Sequence, residues 1–170
     1  MQSNKLIIEY IFTEQVAVTG SIEVTKSVSP LFRYSYLIGL ANLIIIFLLI
    51  YLGGKYTSNI IIPIIFSILF LIFPLLARLK AESNFKKNPN ANSKIKYFFD
   101  NDSLEIEGEG TQGKYDWNKI IRVERKTSGM LFFPQTRIAH WIPISAMDEE
   151  SLGILENILT NNQVKYKVIA

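Results

Sequence analysis

Two uncharged apolar stretches, set seven residues apart, restrict this chain more than any other feature of its sequence. Tyr34 to Leu52 is nineteen residues without a formal charge, and Ile60 to Ala77 is eighteen more. As helices they would reach roughly 27–29 Å at 1.5 Å per residue, enough to cross a hydrocarbon core of about 30 Å. A helix of a soluble domain keeps a polar face, and these stretches have none. The sequence therefore predicts a transmembrane helical hairpin over residues 34–79, with spans at about 34–52 and 60–77. The connection Gly53-Gly54-Lys55-Tyr56-Thr57-Ser58-Asn59 is short, so the spans run antiparallel.

Basic residues set the expected orientation. Lys26 and Arg33 precede the first span. Arg78, Lys80, Lys86, Lys87, Lys94 and Lys96 follow the second, and the connection holds only Lys55. The positive-inside bias puts both termini in the cytoplasm, in a protein integral to the plasma membrane. Tyr34, Tyr36, Tyr51 and Tyr56 fall near the expected interfaces, where their hydroxyls reach water. The cluster Arg78, Lys80, Lys86, Lys87, Lys94 and Lys96 is the leading membrane-surface candidate. Each cation near an anionic leaflet adds about 1 kcal/mol of attraction, although topology alone accounts for the cluster.

Polarity inside the spans is sparse. Ser35 and Gly39 have the small-xxx-small spacing that permits close helix approach. Pro74 lacks an N–H and frees the carbonyl of Phe70. With the turn centred near Tyr56, Asn42 lies level with Phe70. Asn42, Ser67, Phe70 and Pro74 are thus the expected hairpin interface, with Asn42 donating to the Phe70 carbonyl. A homo-oligomer using Asn42 across subunits is the rival arrangement.

The first apolar run, Leu6 to Phe12, is short and contains Glu9, which does not suit a cleavable leader. Cysteine is absent and His140 is the lone histidine, which excludes disulfides, thiolate chemistry and multi-imidazole metal sites. A net charge of +3 is too small to indicate nucleic acid.

After Lys87 the pattern changes to alternation. Residues 1–33 read as an N-terminal strand and lead-in, 80–93 as a basic juxtamembrane linker, and 94–170 as a cytoplasmic β domain. Lys94–Phe99 and Ser103–Glu107 predict a hairpin about Asn101-Asp102, with Lys96 opposite Glu107. Further strands are expected near Gly113–Trp117, Ile120–Lys126, Met130–Phe133 and Arg137–Ile142. Asp148-Glu149-Glu150 opens a helix with stripe Leu152, Leu155, Ile158 and Leu159. Val164, Tyr166 and Val168 suggest a last strand. The expected class is an α+β membrane protein: a two-helix hairpin with a small antiparallel sandwich or barrel and a C-terminal helix, on a pleckstrin-homology-like (PH-like) plan. The segment Lys5–Phe12 is a candidate extra strand of that sheet.

Three stretches carry a resemblance: Phe98-Phe99-Asp100-Asn101-Asp102-Ser103-Leu104, Tyr115-Asp116-Trp117-Asn118-Lys119-Ile120 and Trp141-Ile142-Pro143-Ile144-Ser145-Ala146-Met147. With Phe12-Thr13-Glu14 and the order strand, hairpin, β domain, the chain resembles the YcxB-like family of bacterial membrane proteins. The resemblance implies a PH-like domain on a membrane anchor and carries over no catalytic residue. The glycine-rich stretch Gly108–Gly113 departs from it.

That stretch fits G-x-G-x-x-G, yet no helix follows and Glu109 would repel phosphate, so a hairpin loop is expected. Glu105, Glu107 and Glu109 share a face that reads as solvated and lysine-paired rather than as a cation site. His140 reads as a packed neutral side chain. Trp117 reads as core, and Trp141 as a possible interaction surface for lipid or a partner. No constellation for acid–base, nucleophilic or metal chemistry stands out, so the expectation is a non-enzymatic protein with no cofactor. It presents a binding domain to a protein partner at the cytoplasmic face; alternatively, it is an accessory, inhibitory or immunity-type protein that acts on another membrane protein through its hairpin. The hairpin tip Asp100-Asn101-Asp102 is acidic and argues against phosphoinositide recognition there.

Overall fold

The computed structural model describes residues 5–52 and 60–169. The connection 53–59, with Lys55 and Tyr56, lies outside the described residues. The chain is α+β. Strand β1 (Leu6–Ile11) leads into helix α1 (Glu14–Val28), a single turn α2 (Pro30–Arg33), and the apolar helices α3 (Ser35–Tyr51) and α4 (Ile61–Lys86). Strands β2 (Lys94–Phe99), β3 (Ser103–Gly108) and β4 (Thr111–Asp116) follow, then β5 (Arg122–Lys126), β6 (Gly129–Gln135) and β7 (Ile138–Pro143). Helix α5 (Glu149–Asn161) and strand β8 (Tyr166–Val168) close the chain.

The strands form two four-stranded sheets, ordered β1-β2-β3-β4 and β7-β6-β5-β8. The first is antiparallel throughout, and Lys96 pairs with Glu107. Alternation along β2 turns Ile95, Tyr97 and Phe99 inward, where they meet Leu104, Ile106, Val123, Met130, Phe132 and Ile142 from the other strands. Helix α5 adds Leu155, Ile158 and Leu159 to the same core. Its N-cap Asp148 accepts a hydrogen bond from the Ser151 amide at 2.8 Å.

Three expectations need correction. The β domain is not purely antiparallel, because β8 runs parallel to β5. Helix α5 intervenes between the two strands, the kind of crossover that parallel pairing requires. The lead-in within 1–33, where only a strand is expected, contains the fifteen-residue helix α1. Thr13 caps α1 by accepting from the Val16 amide, and Glu14 sits at the positive end of its dipole. Last, the first half of the expected linker 80–93 is helix, since α4 continues to Lys86. Its extension is amphipathic and buries Ala81 and Phe85, the latter against Phe12 with ring centroids 5.8 Å apart.

Strand β1 joins the main sheet along its whole length, from Leu6↔Phe99 to Ile11↔Lys94. Beyond that ladder the Phe12 amide donates to Ser93 O, and the Asn92 amide to Phe12 O. Asn92 makes the turn into β2 with φ 62°, a left-handed conformation that asparagine tolerates. Residues 13–91, with all four preceding helices, are thus inserted into a single β1–β2 hairpin.

Candidate functional site

Helices α3 and α4 pack together along small residues. Ser35 and Gly39 are buried on α3, and Ser67 on α4. A Cβ at Gly39 would stand 3.1 Å from Ser67 O and 3.0 Å from Leu71 Cγ, so glycine sets the close approach. One turn further along α3, Asn42 Nδ2 donates to Ser67 Oγ at 2.9 Å and to Pro63 O at 3.2 Å. Ser67 Oγ in turn donates to Pro63 O at 2.8 Å. Asn42 therefore faces α4, but its acceptors are Ser67 and Pro63 and not the expected Phe70 carbonyl. The contacts at Gly39 and Asn42 slide the register by nearly one turn relative to a hairpin centred on Tyr56. Phe70 and Pro74 remain half-buried on α4 without a bond to Asn42. Away from this seam both helices expose large apolar side chains, among them Leu40, Phe47, Ile65, Phe66 and Leu76.

The six cations expected to act together are separated. Arg78 pairs with Glu82 one turn on, at 3.0 Å. Lys80 is exposed on the same helix, and Lys86 and Lys87 lie at its far end, roughly 12–15 Å beyond Ala77 at 1.5 Å per residue. Lys94 on β2 binds Glu9 of β1 at 3.0 Å, while Lys96 stands between Glu9 and Glu107 in the sheet. Glu105 is held by Lys114 and Lys5 at 2.7 and 2.9 Å, which pulls its carboxyl down to about 2. Among the described residues no three His, Asp or Glu side chains gather to hold a metal ion.

Trp141, expected at an interaction surface, is buried within the chain. It is 7% exposed, with Leu131 and Phe133, beneath α1 on the outer face of the second sheet. The helix that covers it is the one the sequence did not predict. Gly20 of α1 meets the indole directly: a Cβ there would lie 2.7 Å from Cδ1 and Cγ. Trp117 is core, and its Nε1 donates to Asp100 O at 3.0 Å. His140 packs on Tyr115 in a tilted arrangement, with centroids 5.1 Å apart and planes at 49°, and burial lowers its pKa. Beside it, a cavity of about 450 Å³ lies between the first sheet, β7 and α1. Tyr10 and Tyr97 line it, and burial pushes Tyr10 up to about 12 and Tyr97 higher than its ordinary value. The glycine-rich stretch makes the β3–β4 turn, where Asn90 Oδ1 accepts from the Gly110 amide at 2.7 Å.

The outer face of β5 carries a charge row that sequence reading passed over. Arg122 and Lys126 flank Glu124, with contacts of 2.9 and 3.2 Å, all under or beside α1. Burial opposes ionisation of Glu124, but Ser27, Arg122 and Lys126 keep its carboxyl below the ordinary range. Charge at four of the five positions of β5 hid the row, because the sequence does not show which of these side chains lie on the face that α1 covers.

Fold and site together define an α+β protein with an apolar helical pair inserted into a two-sheet domain. Residues 99–159, from the end of β2 into α5, match the family model described as YcxB-like protein, and over that stretch the chain is similar to that family. Helices α1–α4 and strand β1 lie outside the match. No curated protein and no solved structure matches the chain.

Proposed function

We propose that this chain is an integral membrane protein in which α3 and α4 cross the bilayer and the two-sheet domain stands at the cytoplasmic face as a non-enzymatic, PH-like binding module. One observation carries the reading: the helical pair is polar inside and apolar outside. Asn42 and Ser67 satisfy each other in the seam, while the outer faces present leucine, isoleucine and phenylalanine. In water such a surface would be far larger than a monomer tolerates; in lipid it is the expected arrangement. Helix α4 is long and apolar enough to cross a membrane, whereas the seventeen-residue α3 falls just short by itself. The interfacial Tyr34 and Tyr51, both exposed at the ends of α3, extend its reach. Four strands, then three, then a helix supports the PH-like plan.

With both termini cytoplasmic, a periplasmic or extracellular reporter fused to the C-terminus should be silent and a cytoplasmic one active. Activity of the external reporter would reverse the orientation, and release of the chain by carbonate washing would remove the membrane reading. The polar seam gives a second expected result. In a double-mutant cycle of Asn42→Ala and Ser67→Ala, unfolding in lipid bicelles should show a coupling of about 0.6–2 kcal/mol, the range for hydrogen bonds between membrane helices. Zero coupling would mean that Asn42 is satisfied elsewhere.

A further inference from the structure

A cavity of about 540 Å³ lies below α1, lined by Glu23, Lys26, Arg33, Tyr34, Lys126 and Ser128 with their neighbours. Three sequence-distant segments build it: the run from the last turns of α1 through α2 to Tyr34, the β5–β6 connection, and Ile169 after β8. Its depth follows from contacts along α4. Phe12 packs on Phe85, Ile22 shares a groove with Arg78, and Phe32 meets Phe73 at 5.5 Å. The strand-to-helix run thus descends α4 from its polar end, and Lys26 and Arg33 come level with the last apolar turns, where Arg33 and Tyr34 directly precede α3. On the membrane-anchored reading this is the depth of the lipid phosphates.

The chemistry suits a phosphate. Lys126 is 7% exposed and uses Glu124 as its anchor, so it is a fixed cation and not a waving surface lysine. Lys26 is likewise steadied by Glu23 at 2.8 Å. An ammonium has three donors; Lys26 spends one on Glu23, while Lys126 is ion-paired with Glu124 at 3.2 Å. Arg33, Tyr34, Thr127, Ser128 and Ile169 complete the lining, and Arg33 supplies charge that neither acid offsets. A bound phosphate monoanion would accept several charge-assisted hydrogen bonds here, two of them from lysines already held in place. The acidic tip Asp100-Asn101-Asp102 belongs to a different part of the domain.

We propose that this cavity binds the head group of an anionic phospholipid, drawn from the leaflet in which α3 begins. The proposal rests on the membrane-anchored reading, and the experiment separates the two. The full chain is first floated with vesicles of pure phosphatidylcholine and of phosphatidylcholine with phosphatidylglycerol; insertion into both supports the anchor and is independent of the cavity. The detergent-purified chain is then titrated with short-chain phosphatidylglycerol, short-chain phosphatidylcholine and inorganic phosphate, and binding is followed by native mass spectrometry and thermal shift. Phosphatidylglycerol should bind saturably. The exposed double variant Lys26→Gln/Arg33→Gln should weaken it about tenfold or more, and Lys86→Gln/Lys87→Gln should not. Equal binding of phosphatidylcholine, equal binding of inorganic phosphate, or indifference to the Lys26/Arg33 variant would each overturn the lipid site while leaving the anchor intact. Failure to float with either vesicle would overturn both.

Discussion

A fragment beginning at Asn92 should not fold, although it contains the whole C-terminal run of strands and α5. Strand β1 supplies Ile8, 2% exposed in the core, and covers the entire edge of β2 with a six-residue ladder. Tyr10 also ties the sheets together by donating to Trp141 O at 2.8 Å. Removing one core isoleucine side chain costs about 2–5 kcal/mol, and the ladder and the tyrosine bond go with it. Domains of this size have only about 5–15 kcal/mol to lose. The fragment 92–170 should therefore lack near-ultraviolet circular dichroism and a cooperative urea transition. Placing Lys5–Phe12 ahead of Asn92 through a short glycine-containing turn should restore both in mild detergent, which is needed because Leu131, Phe133 and Trp141 stay uncovered without α1. A cooperative transition in the bare fragment would show that β1 is dispensable.

The second large effect is expected at Gly20. In a free helix, glycine to alanine stabilises by about 0.8–1 kcal/mol. Here the new Cβ would sit 2.7 Å from two carbons of a buried indole. Overpacking of that kind costs about 1–3 kcal/mol. The clash wins: Gly20→Ala should lower stability by about 1 kcal/mol, and Gly20→Leu should detach α1 from the sheet. Detachment is read as a red shift of Trp141 emission and new protease cleavage within Glu14–Val28. Enhanced stability of Gly20→Ala would mean that α1 rides clear of the indole.

The sequence made some of this legible for plain reasons. Continuous apolar runs mark α3 and α4 as helices, because they are far longer than a strand. The Lys96–Glu107 register followed from a two-residue turn and strict alternation, and Asp148 announced α5 by its position before an apolar stripe. Helix α1 was hidden by its own residues. Val16, Val18, Thr19, Ile22, Val24 and Thr25 favour extended structure, and Gly20 weakens a helix; packing on β7 and α4 overrides both preferences. Losing α1 also misplaced Trp141, whose cover it is, and concealed the cavity beside Lys26. The partner of Asn42 was missed by less than one turn, since hairpin register depends on side-chain packing that a count from the turn cannot supply. The parallel β8 was invisible because alternation fixes a strand's faces and not its direction.

The insertion of residues 13–91 into one hairpin has a mechanical consequence. Both connections between helices and sheet leave from the same end of the β1–β2 pair, at Phe12 and Ser93. A load that spreads α1 from α4 therefore peels the pair open one rung at a time, beginning at Ile11↔Lys94 and meeting the Lys94–Glu9 ion pair next. Loaded in shear, six rungs would resist together; loaded in this way they resist singly, so the seam between β1 and β2 is the joint that yields first when the helices are forced apart.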